Sequence, residues 1–486
     1  MHFEVNDTIC APATIPGTGA VSIVRISGPD SFKVAESIVS CKHTSLSALD
    51  AYKMQFVELL EADGSVLDQA LVAVFKAPHS YTGEDSVEIY CHASAYIVNR
   101  ILQLLCDAGA RAAEAGEFTR RAFANGKMDL AQAEAVADVI ASQSAAAHRV
   151  AMNQLRGGYS RELKGMREEL LNLAALMELE LDFSEEEVEF ADRDRLRVSC
   201  DTLSSHLSRL IASFRLGNAL KNGIPTVIAG ATNAGKSTLL NALLGEDRAI
   251  VSDIAGTTRD SIEASFNVDG NLFRVIDTAG LRESGDCIEK IGIERSLSMI
   301  EKADIVLAVF DVCAPLPELL ESARLISEKA QGKVQLIVPI LNKIELIEGI
   351  IPGEAPLNKN VNDINNDVIE LENKLLEALD IQNTRFVRIS AANGFGLQHL
   401  KQILSDFACQ SLNQSATLVT NTRHLQALKE AHSALHRVRS GLDTTLPVDL
   451  IVQDLREALY HLGSITGEIS TDEILGEIFG RFCIGK

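Results

Sequence analysis

Gly230-Ala231-Thr232-Asn233-Ala234-Gly235-Lys236-Ser237 has the spacing G-x-x-x-x-G-K-S. What this pattern provides is close approach. Its glycines let main-chain N–H groups wrap a chain of phosphates, and the start of the following helix adds partial positive charge. Lys236 would neutralise the β and γ oxygens, and Ser237 would ligate magnesium. An apolar run at 226–229 precedes the loop, and a helix-like segment opens at Thr238 and ends at Gly245. The strand–loop–helix context that the pattern requires is therefore present.

Three further motifs follow in chain order. Asp277-Thr278-Ala279-Gly280 comes after the strand-like run 273–276. An acid at a strand end can hold the magnesium shell, and Gly280 leaves its N–H free for the γ-phosphate. Asn342-Lys343-Ile344-Glu345 comes after a run ending at 340. Its carboxylate would accept from the guanine N1–H and exocyclic amine, and Asn342 would contact the base edge. Ser390-Ala391-Ala392 follows the run 386–389 and would seat the base through its backbone. Between the first two motifs, Gly256-Thr257-Thr258-Arg259-Asp260 resembles the switch loop of small GTPases, whose threonine completes the magnesium shell; Thr258 takes that place here. Together these motifs imply a GTP-hydrolysing P-loop protein. Two positions depart from the usual set. Leu281 stands where a water-orienting glutamine is common, leaving Arg282, Glu283, Asp286 and Glu289 as candidates for that task. Glu345 stands where aspartate is usual, and its extra methylene moves the carboxylate outward.

The elements that must carry these motifs are legible as textures. Residues 1–125 mix strand-like runs (20–26, 69–75, 86–90) with a helix at about 93–108, which reads as an α+β domain. Residues 126–222 read as helical. Asp129 caps an Ala-rich helix ending at Gly157-Gly158, a second helix spans about 161–182 and a third about 192–223. Residues 223–410 alternate apolar strands (225–229, 273–276, 305–310, 334–340, 386–389) with helices, implying a parallel sheet wrapped by helices. Residues 358–366 read as a polar loop. Residues 411–486 are helical again, at 420–440, 448–463 and 470–482, with Ser470 and Glu473 at capping-box spacing. The expected architecture is an α+β N-terminal domain and an all-α domain (126–222 with 411–486). A Ras-like α/β P-loop domain (223–410) is inserted into the helical one.

Bulk properties narrow the partners. The chain has 486 residues and a formal net charge of −22, so its overall field repels nucleic acid and any RNA contact needs a local basic patch. Its nine cysteines form no CxxC pair, which speaks against a zinc ribbon or a disulfide framework. The opening residues lack a signal pattern and no run of about 18 apolar residues occurs, so a cytoplasmic protein without a membrane span is expected. His432 and His436 lack a third metal ligand, and the acid run 184–189 lacks the alternation of a calcium loop.

The G-domain motifs, from Asn233-Ala234-Gly235-Lys236-Ser237 through 256–260 to Asp277-Thr278-Ala279-Gly280-Leu281-Arg282-Glu283, resemble the MnmE (TrmE) family of tRNA modification GTPases. So do Arg25-Ile26-Ser27-Gly28, Tyr81-Thr82-Gly83-Glu84-Asp85, Gly116-Glu117-Phe118-Thr119, Lys127-Met128-Asp129-Leu130-Ala131-Gln132-Ala133-Glu134-Ala135 and the tail Phe482-Cys483-Ile484-Gly485-Lys486. The resemblance spans essentially the whole chain. It implies a homodimer through the N-terminal domain and an FAD- and NADH-dependent partner of the MnmG type. It also implies modification of carbon 5 of the wobble uridine of certain tRNAs, with a tetrahydrofolate derivative (5-formyl or methylene form) as one-carbon donor. It further implies that Asn233, Ser252, Ile254 and Thr257 hold a potassium ion, that Ser252, Asp253, Ile254, Ala255, Gly256, Thr257 and Thr258 line the nucleotide, and that Glu289 orients the attacking water. Arg25, Glu88, Lys127 and Lys486 would form the folate site. Cys483 is either a reactive thiol or a buried structural one; of its neighbours in sequence, Arg481 and Lys486 would lower its pKa. Thr232 replaces the family's usual proline, and Gly17-Thr18-Gly19-Ala20 lacks its basic and double-glycine residues. Two other readings compete: a ribosome-assembly GTPase, which predicts a basic RNA-binding module, and a non-hydrolysing nucleotide-dependent scaffold.

Overall fold

The computed structural model describes residues 7–40, 45–182, 193–246, 264–276, 299–347, 361–412, 417–469, 472–480, 482 and 485, apart from 333, 383 and 445. Two compact units emerge. One comprises Met1–Ile140, Asn153–Leu207 and Gln426–Lys486, and the other Ala141–Met152 and Ser208–Leu425. No helix among the described residues is long and apolar enough to cross a membrane.

The first unit contains a sheet whose described strands are β1 (Ile9–Pro12), β2 (Gly19–Ser27), β3 (Val39–Ser40), β4 (Met54–Leu60), β5 (Val66–Phe75), β6 (Ser86–Ala93) and β7 (Arg111–Ala112), in the order β3-β4-β5-β6-β2-β1-β7. Alternation along these strands buries Val24, Val57, Val72 and Ile89 in a core shared with the helix Ala95–Asp107 and leaves Phe56 and Leu71 exposed on the other face. Register puts Arg25 opposite Glu88, and Glu88 opposite Ala73. The same unit holds a bundle of helices. Its member Gly158–Asp182 buries Tyr159, Leu163, Met166, Leu170, Leu173 and Met177, a stripe at spacings of three and four.

The second unit contains a sheet in the order β13-β12-β11-β8-β10-β9, built from β8 (Ile224–Ala229), β9 (Ala264–Val268), β10 (Asn271–Val275), β11 (Ile305–Asp311), β12 (Leu336–Asn342) and β13 (Val387–Arg388). Ile305, Val306, Leu307, Ala308, Val309 and Phe310 are all buried, as a central parallel strand covered on both faces must be. One face packs on the helices Lys236–Glu246 and Leu397–Leu412, the other on Leu316–Ala330 and Val361–Leu379. The C-terminal ends of β8 and β12 carry the phosphate loop and the guanine motif to one edge of the sheet, where open α/β folds bind ligands.

Three local expectations are corrected. The Ala-rich helix is broken into Leu130–Ala141 and Ala145–Leu155, because the Ser144 hydroxyl accepts from the Ala147 N–H at 3.1 Å and caps a new start. Asp129 does cap the first piece, in a reciprocal box with Gln132 (2.8 and 3.0 Å). Of the polar stretch 358–366, residues 361–366 belong to the helix Val361–Leu379 and the rest lie outside the described residues; burial of Val368, Leu375 and Leu379 on one face overrides the poor propensity of its asparagines. The sheet is not wholly parallel either, since β9 runs antiparallel to β10 at its edge.

Candidate functional site

The phosphate loop leaves β8 at Gly230, whose backbone lies so close to β11 that a Cβ there would sit 2.2 Å from the Val309 carbonyl oxygen. Asn233 takes a left-handed turn at φ +62°, a conformation its side chain tolerates better than most. Lys236 opens the helix Lys236–Glu246, and its Nζ donates back to the carbonyls of Gly230 (3.1 Å) and Ala231 (2.9 Å). Burial pulls the Lys236 ammonium below its ordinary value, so the group is poised to gain from a nearby anion. Ser237 and Thr238 stand exposed in the first helical turn, beside the loop.

The base side is assembled by Asn342, the last residue of β12. Its amide donates to the Ala234 carbonyl at 2.9 Å and its carbonyl accepts from the Ala391 N–H at 3.0 Å. The sequence places Asn342 at the base edge; in the structure both ends of its side chain staple the phosphate loop to the 390–392 loop. Lys343 adopts φ +64° and its Nζ meets Asp311 Oδ2 at 2.6 Å. Glu345 follows in the short 3₁₀ turn Ile344–Leu346, and its Oε2 is buried with no hydrogen-bond partner among the described residues. A buried acceptor without a donor is costly unless a ligand supplies one. Guanine carries an N–H pair of the kind that would supply one. Ser390 is buried, with its hydroxyl accepting from Asn393 N–H (3.2 Å), and Ala392 projects at the tip.

Ser252, Asp253, Ile254, Ala255, Gly256, Thr257, Thr258, Asp277, Thr278, Ala279, Gly280, Glu289, Cys483 and Lys486 lie outside the described residues, as does the Ser470 cap.

In the N-terminal sheet, Arg25 on β2 and Glu88 on β6 form an ion pair at 2.8 Å. Tyr90 donates to the other Glu88 oxygen at 2.8 Å, and the guanidinium lies over the rings of Tyr81 (5.4 Å) and Phe118 (5.7 Å). Its Nη1 also donates to the Gly485 carbonyl at 3.4 Å, so the C-terminal tail closes on the pair. Lys127 packs along Gly83 in the loop that carries Tyr81, and its Nζ donates to the Pro78 carbonyl at 2.9 Å. Behind this surface Arg121 engages Asp7, Glu84 and Glu117, and Arg111 engages Asp7 and Glu117. Cys10, Cys91 and Cys200 are pushed up to about 12, 11 and 11, mainly by burial, which makes them structural thiols at neutral pH.

Sequence reasoning missed Asp311, Tyr90 and the rings around Arg25. An acid ending an apolar strand was a usable signal for Asp311. Tyr90 meets the pair through the β2–β6 register, and Tyr81 and Phe118 reach Arg25 from a loop and a helix distant in sequence, which no local pattern carries.

The GTP-binding protein TrmE N-terminus family matches residues 8–127, and the MnmE helical domain family matches 130–483. The tRNA modification GTPase MnmE of Parabacteroides distasonis is 47% identical over 483 residues, covering 99% of this chain and 100% of that protein. Its namesake from Porphyromonas gingivalis is 48% identical over 490 residues, covering 100% and 99%. The one from Cytophaga hutchinsonii is 47% identical over 482 residues, covering 99% and 98%. A phosphate loop, a guanine-type acceptor and full-length matches of this depth lead to one conclusion: the chain is a GTP hydrolase and belongs to the MnmE family.

Proposed function

We propose that this GTPase couples nucleotide hydrolysis to modification of carbon 5 of the wobble uridine of certain tRNAs. A tetrahydrofolate derivative serves as one-carbon donor and an MnmG-like FAD- and NADH-dependent protein as partner. The observation that carries this reading is the Arg25–Glu88 pair with the tail closing on it at Gly485. A guanidinium suits the glutamyl carboxylates of a folate, and a carboxylate held by Arg25 and Tyr90 retains lone pairs for a pterin N–H. Lys127, and Lys486 next to Gly485 in sequence, would add positive charge.

The same face of the sheet supports a homodimer. Met54 and Ala73 lie in one cross-strand row with Glu88 and Arg25, and the exposed pair Phe56 and Leu71 occupies the next row. Apolar side chains clustered on an open sheet face mark a surface that another subunit covers.

Magnesium would be held by Ser237 with Thr258, and potassium by Asn233 with Ser252, Ile254 and Thr257. The left-handed Asn233 at the loop's exposed rim supports the potassium assignment, because a cation there would offset charge developing on the transferred phosphoryl.

Titrating a reduced folate into the full chain tests the reading. Saturable binding is expected, lost in Arg25→Ala and weakened when Lys486 is removed. Absence of any folate binding by the intact chain would overturn it.

A further inference from the structure

Between Asn153 and Arg167 the chain carries four cations and one carboxylate, against a net charge of −22 overall. Most arginines of this unit are spent on carboxylates: Arg167 on Glu468, Arg197 on Asp443, Arg437 on Asp454 and Arg456 on Glu178. Arg156, Arg161 and Lys164 are different. All three are exposed, and none has a carboxylate partner among the described residues. The buried stripe of the helix Gly158–Asp182, running from Tyr159 through Leu163, Met166 and Leu170, fixes Arg161 and Lys164 on its opposite, solvent-facing side. Arg161 is further held by donation from Nη1 to the Arg156 carbonyl at 3.0 Å, which brings the two arginines together at the head of the helix.

Gly165 stands on this outer face, next to Lys164 and one turn from Arg161. It is exposed, and a Cβ there would meet nothing within 4 Å. Glycine inside a helix weakens it relative to alanine, and here neither packing nor backbone conformation demands it. What the missing side chain does give is a flat spot flanked by cations, where another backbone can lie against the helix. Glu168, one turn beyond Lys164, closes the strip.

We infer that Arg156, Arg161 and Lys164 around Gly165 form the surface that receives the phosphate backbone of the tRNA. The inference rests on the function proposed above and adds the place of contact. Exposed cations clustered on one helical face can neutralise backbone phosphates, and the net charge of −22 makes such a local cluster necessary for RNA to approach. The contact carries no base reading, so sequence choice lies elsewhere.

The test is binding of an unmodified tRNA transcript to the full-length protein, with and without its FAD-dependent partner, across a potassium chloride series. Arg161→Gln with Lys164→Gln is expected to weaken binding about tenfold at low salt and to lower the slope of log affinity against log salt by about two. Gly165→Leu keeps every charge and favours the helix. It is expected to weaken binding several-fold with the slope unchanged, its melting temperature confirming the fold. If the wild type binds tRNA and both variants bind it equally well, the strip is not the contact. If the double variant loses affinity for the partner protein while tRNA binding stands, the surface docks protein and the RNA assignment is wrong. A wild type that binds no tRNA in either setting would overturn the proposed function together with this inference.

Discussion

Asn342 Nδ2 lies 2.9 Å from the carbonyl oxygen of Ala234, joining the end of β12 to the phosphate loop 108 residues earlier in the chain. The contact explains Gly235: any Cβ there would fall 2.1 Å from the same nitrogen. Because Asn342 also accepts from Ala391, one side chain ties the phosphate and base loops together. Asn342→Ala would strand a buried N–H and a buried C=O, at a cost of about 1–3 kcal/mol. GDP affinity measured with a fluorescent analogue is expected to fall about tenfold or more. Gly235→Ala should act in the same direction, since its methyl displaces the amide.

Glu345 Oε2 is buried without a hydrogen-bond partner among the described residues, and on the proposed reading it accepts from the base. Inosine nucleotides lack the exocyclic amine of guanine, so a carboxylate that takes that amine discriminates between them. The wild type is expected to prefer GTP over ITP by about tenfold or more, and Glu345→Ala to bring the ratio close to one. Equal affinities in the wild type would remove Glu345 from base recognition.

The proposed function gives Glu289 the task of orienting the attacking water. Glu289→Ala is expected to reduce GTP turnover by at least about a hundredfold while leaving GTP affinity intact, as removal of a group that acts in the transition state does. Turnover of the unaltered protein should be faster in potassium than in sodium. Loss of nucleotide affinity in the variant would reassign the residue.

The acid stability of the N-terminal domain depends on Glu117 and Asp7. Burial pushes both carboxyls up, but hydrogen bonds from Arg111 and Arg121 outweigh it and hold them below the usual range. A depressed folded-state pKa contributes stability that is present above the unfolded value of ~4 and is lost as pH falls through the folded value. Urea unfolding should therefore show weaker stability at pH 4 than at pH 7. Glu117→Gln, which leaves buried Arg121 and its neighbour Arg111 short of a partner, is expected to cost about 3 kcal/mol at neutral pH and to flatten the acid dependence.

The phosphate loop and the places of the parallel strands along the chain were legible because each motif sits at the end of an apolar run, and both signals are local. Asp129 was legible as a cap for the same reason. What stayed hidden is long-range. The double role of Asn342 depends on β12 lying beside β11 and β11 beside β8, and the enclosure of Arg25 depends on the β2–β6 register and a tail 460 residues away. The start of the helix Val361–Leu379 was misread as loop because its sequence is polar and rich in asparagine, while the buried residues Val368, Leu375 and Leu379 lie further on. The break at 142–144 was missed because alanine-rich sequence on both sides favours helix, and a single serine hydroxyl decides the boundary.

The most direct measurement is equilibrium binding of guanine nucleotide to the purified chain in magnesium, with ATP as competitor and Lys236→Ala as control. Saturable GTP binding that ATP does not displace, and that the variant loses, is the predicted result. Failure of the intact protein to take up GTP, or displacement by ATP as readily as by GTP, would contradict the account.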